Sequence, residues 1–291
     1  MRIEQALEKF MVQLRADGRS PHTIGQYRRH IRTLAHWLAD VGHSGDVREI
    51  GHEAVARFLG AHAATRRPDG RAKTATSINC LRSSLKGFFG YLHGAGYIRL
   101  NPGRLIRRAI CASPPPRGLS PQDQKKLLST LRNTKGPEAE RDYALFHLML
   151  ATGIRLTSTL ALDVGDVDLN RAEILLRNGK GNRQERVFLG RAICAHIRRY
   201  VSKVKSGPLF PGRPGERVTA RHARRRLAMW FEEAKISGHH SPHSLRHAFA
   251  LTLYAKTQNV LVVKQAMHHR SIGSTLVYTR ASEAEVRKAL A

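Results

Sequence analysis

The sequence predicts a two-domain, mainly α-helical protein whose second domain carries one small antiparallel sheet. Three observations predict it. Apolar residues recur at helical spacing along most of the chain. A proline-rich stretch, CASPPPRGLSP at 111–121, interrupts the pattern once. Only two short apolar runs, ILL at 174–176 and ERVFL at 185–189, read as strands, and they flank the turn RNGKGNRQ. The expected division is a helical domain over 1–110, a linker over 111–119 and a second domain over 120–291.

Ile3, Leu7, Phe10 and Leu14 give the first helix one apolar face. Ser20 caps the second, with Pro21 at the first helical position, where its missing N–H costs no bond. Tyr27, Ile31, Leu34 and Leu38 form its stripe. A weaker helix includes Val55, Phe58 and Leu59, and the polar, basic RRPDGRAKTAT that follows is turn-forming. Leu81, Leu85, Phe88 and Leu92 mark a further helix, ended by Gly94 and Gly96. Beyond the prolines, Ser120 and Pro121 open another helix, with Asp123 at the acid position of a capping box. Residues 141–151 read as a buried helix. Helices near 190–204, 219–236, 242–256 and 259–268 complete the second domain.

Charge points to the partner. Fifty Lys and Arg against 22 Asp and Glu leave a net charge of +28 at pH 7 over 291 residues. Such an excess repels itself unless a polyanion neutralises it, so nucleic acid is the expected partner. A membrane-binding tail would concentrate its charge in one block, whereas these arginines run from Arg2 to Arg287. Cys80, Cys111 and Cys194 lie far apart without a CxxC pair, which argues against a disulfide framework or structural zinc. The start, MRIEQALEKF, lacks the apolar core of a signal peptide, and no apolar run approaches membrane-spanning length. A cytoplasmic location is expected.

Several residues could carry chemistry. In SPHSLRHAFA, at 241–250, His243 and Arg246 share a helix face just after Pro242. One titrates near neutrality and the other can grip two phosphate oxygens. They are either half of a phosphate site or a cap and a surface charge. His247, next to Phe249, reads as a packing residue. Arg155, in ATGIRLT, follows an apolar run and calls for an anionic partner: an internal carboxylate such as Asp163 or Asp166, or a substrate phosphate. Lys180 sits at the tip of an expected hairpin, NGKGN. His268 and His269 are adjacent without HExxH spacing or a nearby acidic ligand, so metal is not expected. Tyr278 is either core or a covalent nucleophile; as a nucleophile it needs a base or positive surroundings, because a phenol ordinarily ionises near pH 10.

In this order, ATGIR, GKGN, HSLRH and the segment from His268–His269 to Tyr278 resemble the signature of the tyrosine recombinase (phage integrase) family, in its Xer-like two-domain layout. GRSPHTIGQYRRHI and LKGFFGYLHGAGYIRLNP resemble that family's helical, SAM-like core-binding domain. The resemblance implies a C-shaped clamp on double-stranded DNA and six catalytic residues: Arg155, Lys180, His243, Arg246, His269 and the nucleophile Tyr278. It implies DNA cleavage and rejoining through a 3′-phosphotyrosyl bond and a Holliday junction, without ATP, metal or other cofactor. It also implies a homo-tetramer on two sites, assembled from monomers in free solution. Whether a second recombinase takes part is open. Candidate DNA contacts are Arg28, Arg29, Arg32, Arg66, Arg67, Lys73, Arg82 and Lys86 in the first domain. In the second they are Arg221, Arg224, Arg225 and Arg226. No arm-binding domain is expected before residue 1, and the tail ASEAEVRKALA is expected to dock on a neighbouring subunit. The chain departs from the family twice. Ser158 stands where an acidic residue is usual, three after Arg155, and MHH replaces LGH, putting His268 where glycine is usual. Two rival readings are a type IB topoisomerase-like relaxing enzyme and a non-catalytic DNA-binding protein.

Overall fold

The computed structural model describes residues 1–111, 118–177, 184–212, 216–269 and 271–279. The chain divides into two compact units, Met1–Ser113 and Pro114–Ala291.

The first unit is helical: α1 (Ile3–Ala16), α2 (Pro21–Asp40), α3 (His52–Gly60), α4 (His62–Thr65) and α5 (Ala75–Gly94). The Ser20 hydroxyl accepts from the Thr23 N–H at the start of α2, and Thr74 does the same for Ser77 on α5. Ile3, Leu7, Phe10, Leu34, Leu38, Phe58, Leu85, Phe88 and Leu92 are buried in one core, where Phe10 packs edge-on to Tyr27 at 5.4 Å. Helices α2 and α5 touch closely at Gly87, where a Cβ would lie 3.0 Å from the Tyr27 ring. The basic stretch after α4 is a turn closed by a bridge between Arg66 and Ala72. The buried Asn79 amide on α5 grips the backbone of Ala109, donating to its carbonyl at 3.0 Å and accepting from its N–H at 2.8 Å.

In the second unit, α6 (Pro121–Asn133) begins at Ser120, whose hydroxyl accepts from the Asp123 N–H and donates to its carboxylate at 2.7 Å. The expected capping box is therefore replaced by a side-chain link. Helix α7 (Pro137–Thr152) is the axis of the unit, packed by α6, α9 (Arg191–Val204), α10 (Ala220–Glu233) and α11 (Pro242–Thr257). It is apolar around most of its circumference, as a helix surrounded by others must be. The sheet runs β1 (Val167–Asp168), β2 (Glu173–Leu176) and β3 (Glu185–Phe188), all antiparallel neighbours. Ile174 pairs with Val187 and both face the core, while Phe188 is exposed. A short α8 (Leu156–Leu160) follows α7, and α12 (Val260–Ala266) follows α11. Strand β1 and helices α4 and α8 are additions to the elements read from sequence. Among the described residues no helix is long and apolar enough to cross a membrane.

Candidate functional site

Helix α7 ends at Gly153, whose φ of +66° is the left-handed conformation that only glycine adopts without strain. Space imposes the same choice: a Cβ there would lie 2.4 Å from the Phe249 ring. The turn delivers Arg155 to the start of α8 with its side chain exposed. Neither Asp163 nor Asp166 meets it. Asp163 accepts from Arg217 at 2.7 Å, and Asp166 is held by Arg177. Among the described residues no hydrogen bond or ion pair occupies the Arg155 guanidinium, and neither carboxylate expected from the sequence is its partner.

Arg246 lies one turn into α11, only 4% exposed, and donates from one nitrogen to the Gly153 carbonyl and from another to the Met267 carbonyl at 2.6 Å. Its hydrogen-bond partners among the described residues are carbonyl dipoles rather than carboxylates. Burial, and then the nearby positive charge of Arg155, bring its pKa down to about 10, still charged at neutral pH. Arg155, Arg246, Ser158, Glu185, His268 and His269 line one cleft of about 480 Å³.

The histidines divide by what they touch. His243 is exposed in the first turn of α11, and partial desolvation followed by the charges of Arg246 and Arg155 lowers its pKa. His269 bonds through Nδ1 to the Thr275 hydroxyl at 2.9 Å, and burial and the two arginines push it down to about 4. His268 adopts φ +49°, a left-handed conformation in which the family's usual glycine is unstrained. Its Nδ1 is 3.6 Å from the Glu185 carboxylate on β3, a pairing that opposes the lowering of its pKa by burial.

Tyr278 is 6% exposed and set back from the cleft lining. Its hydroxyl bonds to Nδ1 of His247 at 2.7 Å, and its ring stacks beside that of His269 at 6.5 Å. Burial raises its pKa, and the charge of Arg246 works against that rise. His247, read from sequence as a packing residue, thus touches the phenol itself. The spacing of HSLRH, which puts positions 243 and 247 on one helix face, was the available signal. Lys180 lies outside the described residues.

The candidate DNA contacts differ in availability. Arg29, Arg32, Arg67, Lys86, Arg221 and Arg224 are exposed. Arg28 pairs with Glu8 at 2.8 Å, Arg66 and Lys73 donate to the carbonyls of Gly70 and Ala63, and the Arg82 Nε is buried without a partner among the described residues. Arg225 stands 3.4 Å from the His222 ring nitrogen. Arg226 turns inward. It bonds Asp142 at 2.6 Å and Glu138 at 3.2 Å and lies over Trp230.

A mainly helical unit with a small antiparallel sheet, holding a tyrosine beside an arginine- and histidine-lined cleft, has the makings of a DNA strand-exchange enzyme. Comparison with known proteins makes this specific. Residues 117–285 match the phage integrase family and residues 7–96 match the phage integrase N-terminal SAM-like domain. The chain is 30% identical to tyrosine recombinase XerC of Vibrio vulnificus, over 95% of this chain and 87% of that protein. Its fold is similar to that of the Tn1549 transposon integrase in complex with a circular intermediate DNA. That match has a TM-score of 0.76 at 19% identity and covers 100% of this chain and 99% of that one. The fold is also similar to XerH site-specific recombinase bound to difH substrate, with a TM-score of 0.74 at 19% identity, covering 98% and 83% of the two chains. The chain belongs to the phage integrase family, the tyrosine recombinases.

Proposed function

We propose that this chain cleaves and rejoins double-stranded DNA at specific sites, with Tyr278 as the nucleophile. One observation carries the reading: Arg155, without a partner among the described residues, and a carbonyl-held Arg246 set two positive charges near a buried tyrosine. A phosphodiester is the anion that suits them. Arg155 and Arg246 bind its non-bridging oxygens through charge-assisted hydrogen bonds, which strengthen as charge builds in the transition state. Tyr278 attacks phosphorus, a 3′-phosphotyrosine forms and the 5′-oxygen leaves. Lys180 is assigned the proton for that oxygen on the strength of its GKGN motif, and His243 and His269 orient the phosphate. The phosphotyrosine keeps the bond energy, so a new 5′-hydroxyl can displace the tyrosine without ATP.

DNA binding is assigned to both units: residues 1–110 as the core-binding domain and 120–291 as the catalytic domain. Arg29, Arg32, Arg67, Lys86, Arg221 and Arg224 supply phosphate contacts. A homo-tetramer on two sites, working in the cytoplasm on the nucleoid, completes the reading. The test uses nicked duplexes carrying the chain's own site, recovered by selecting bound fragments of its replicon. Wild-type protein should become covalently attached to the 3′ side of the break, and two sites should yield a Holliday junction. A Tyr278→Phe protein that still forms the adduct rules the assignment out.

A further inference from the structure

Three imidazoles lie near the phenol of Tyr278, and only one touches its oxygen. His269 has its Nδ1 engaged by Thr275 at 2.9 Å. His243 meets the edge of the His247 ring at 4.8 Å and makes no hydrogen bond to the hydroxyl. His247 alone bonds the hydroxyl, Nδ1 to Oη at 2.7 Å, and that is the hydroxyl's single hydrogen bond among the described residues. We propose that His247 is the base that takes the Tyr278 proton during cleavage and returns it during rejoining. The proposal rests on the reading of Tyr278 as nucleophile.

The surroundings suit the task. His243 and Arg246 face His247 from its own helix, and His269 and Tyr278 come from neighbouring segments. Burial, and then His243 and Arg246, push His247 down to about 4, so at neutral pH the ring is uncharged and one nitrogen is free to accept. The phenol, raised by burial, still holds its proton. A resting imidazole of low pKa is a weak base toward a phenol, and two effects correct this during the reaction. An incoming phosphodiester brings negative charge beside the ring and favours the imidazolium. As the Tyr278 oxygen bonds to phosphorus, its proton becomes strongly acidic.

The step balances. The bond from Tyr278 Oη to phosphorus forms, the bond from phosphorus to the 5′-oxygen breaks, and the phenolic proton passes to Nδ1. The 5′-oxygen takes its proton from the acid on the opposite side of phosphorus. In rejoining, a 5′-hydroxyl attacks and returns its proton to that acid, while Nδ1 hands its proton back to the leaving phenolate.

The experiment compares wild type, His247→Asn, His247→Phe, His247→Ala and Tyr278→Phe in single-turnover cleavage of the nicked cognate duplex, with DNA affinity measured in parallel. Asparagine sets an acceptor close to the former Nδ1 but cannot carry the proton away. A base assignment predicts that all three His247 variants lose on the order of 10²–10⁴-fold in adduct formation, with affinity unchanged. It also predicts that added imidazole partly restores His247→Ala. Near wild-type cleavage by His247→Asn would show that the ring only holds the tyrosine, and the proposal would fall. An independent readout needs no DNA: ¹⁵N NMR of the resting protein should find Nδ1 of His247 unprotonated, and a proton on Nδ1 would overturn the proposal. Adduct formed by Tyr278→Phe would instead overturn the nucleophile assignment and leave the NMR result standing.

Discussion

The Arg246 guanidinium donates to the Met267 carbonyl at 2.6 Å, and no carboxylate among the described residues bonds it. A second nitrogen goes to Gly153, so three segments of chain meet at one buried cation: the end of α7, α11 and the turn after α12. Arg155, by contrast, has no side-chain partner among the described residues and sits exposed at the cleft. The two arginines should therefore fail differently. Arg155→Ala should leave thermal stability unchanged or slightly improved, because it relieves repulsion of Arg246. It should slow adduct formation by about 10²–10³-fold, as loss of a transition-state donor does. Arg246→Ala should lose cleavage and also about 1–3 kcal/mol of stability for each carbonyl stranded without a donor. Chemical denaturation beside single-turnover cleavage separates them.

Gly153 tests how the turn is built. A methyl group there meets Phe249 at 2.4 Å in a conformation that L-residues avoid. Gly153→Ala should cost about 1–3 kcal/mol from backbone strain alone, and more from the clash. Displacing the Gly153 carbonyl should also release Arg246, so cleavage should fall further than stability explains. A Gly153→Ala protein with wild-type cleavage would show that the turn and the arginine are independent.

Local rules made much of this legible. Ser20–Pro21 and Ser120–Pro121 mark helix starts in the chain itself, and the structure has α2 and α6 beginning there. What the sequence left open depended on partners distant along the chain. Four arginines on α10 look alike, yet Asp142, 84 residues away from Arg226, takes that one inward. Likewise Asp163 and Asp166 are close in sequence to Arg155 but are claimed by Arg217 and Arg177. Strand β1 is two residues long and α8 five, too short for periodicity to register. At His268 a left-handed backbone and a Glu185 carboxylate 3.6 Å away come together, which no local rule reveals.

The split on α10 predicts a split in salt dependence. Arg221 and Arg224 point outward, opposite Ala223, Leu227 and Trp230, which are buried. Removing one arginine that neutralises a phosphate should reduce the slope of log affinity against log salt by about 0.9. Arg224→Ala should show that change with stability intact. Arg226→Ala should leave the slope alone and destabilise the fold, because Asp142 keeps a buried charge with fewer donors. Equal slopes for wild type and both variants would remove α10 from the DNA surface.

Acid should weaken the second unit through a pair of histidines on α7 and α9. Nδ1 of His147 and Nδ1 of His196 are 2.8 Å apart, and both rings lie against Tyr143. The bond needs one nitrogen protonated and the other bare, so the accepting ring must be neutral, and protonating both rings breaks it. Burial lowers His147, and burial followed by His147 and Arg199 takes His196 down to about 4. The sign follows from proton counts. Between about pH 6.5 and 4 the unfolded chain binds protons that the folded one refuses, so stability is full above 6.5 and falls as pH drops through that window. One pKa unit corresponds to about 1.4 kcal/mol, so His196 contributes on the order of 2–3 kcal/mol to the loss. Denaturation midpoints of wild type and His196→Phe from pH 7 to 4 measure it. The variant should lose less stability over that range, and parallel curves would place the acid sensitivity elsewhere.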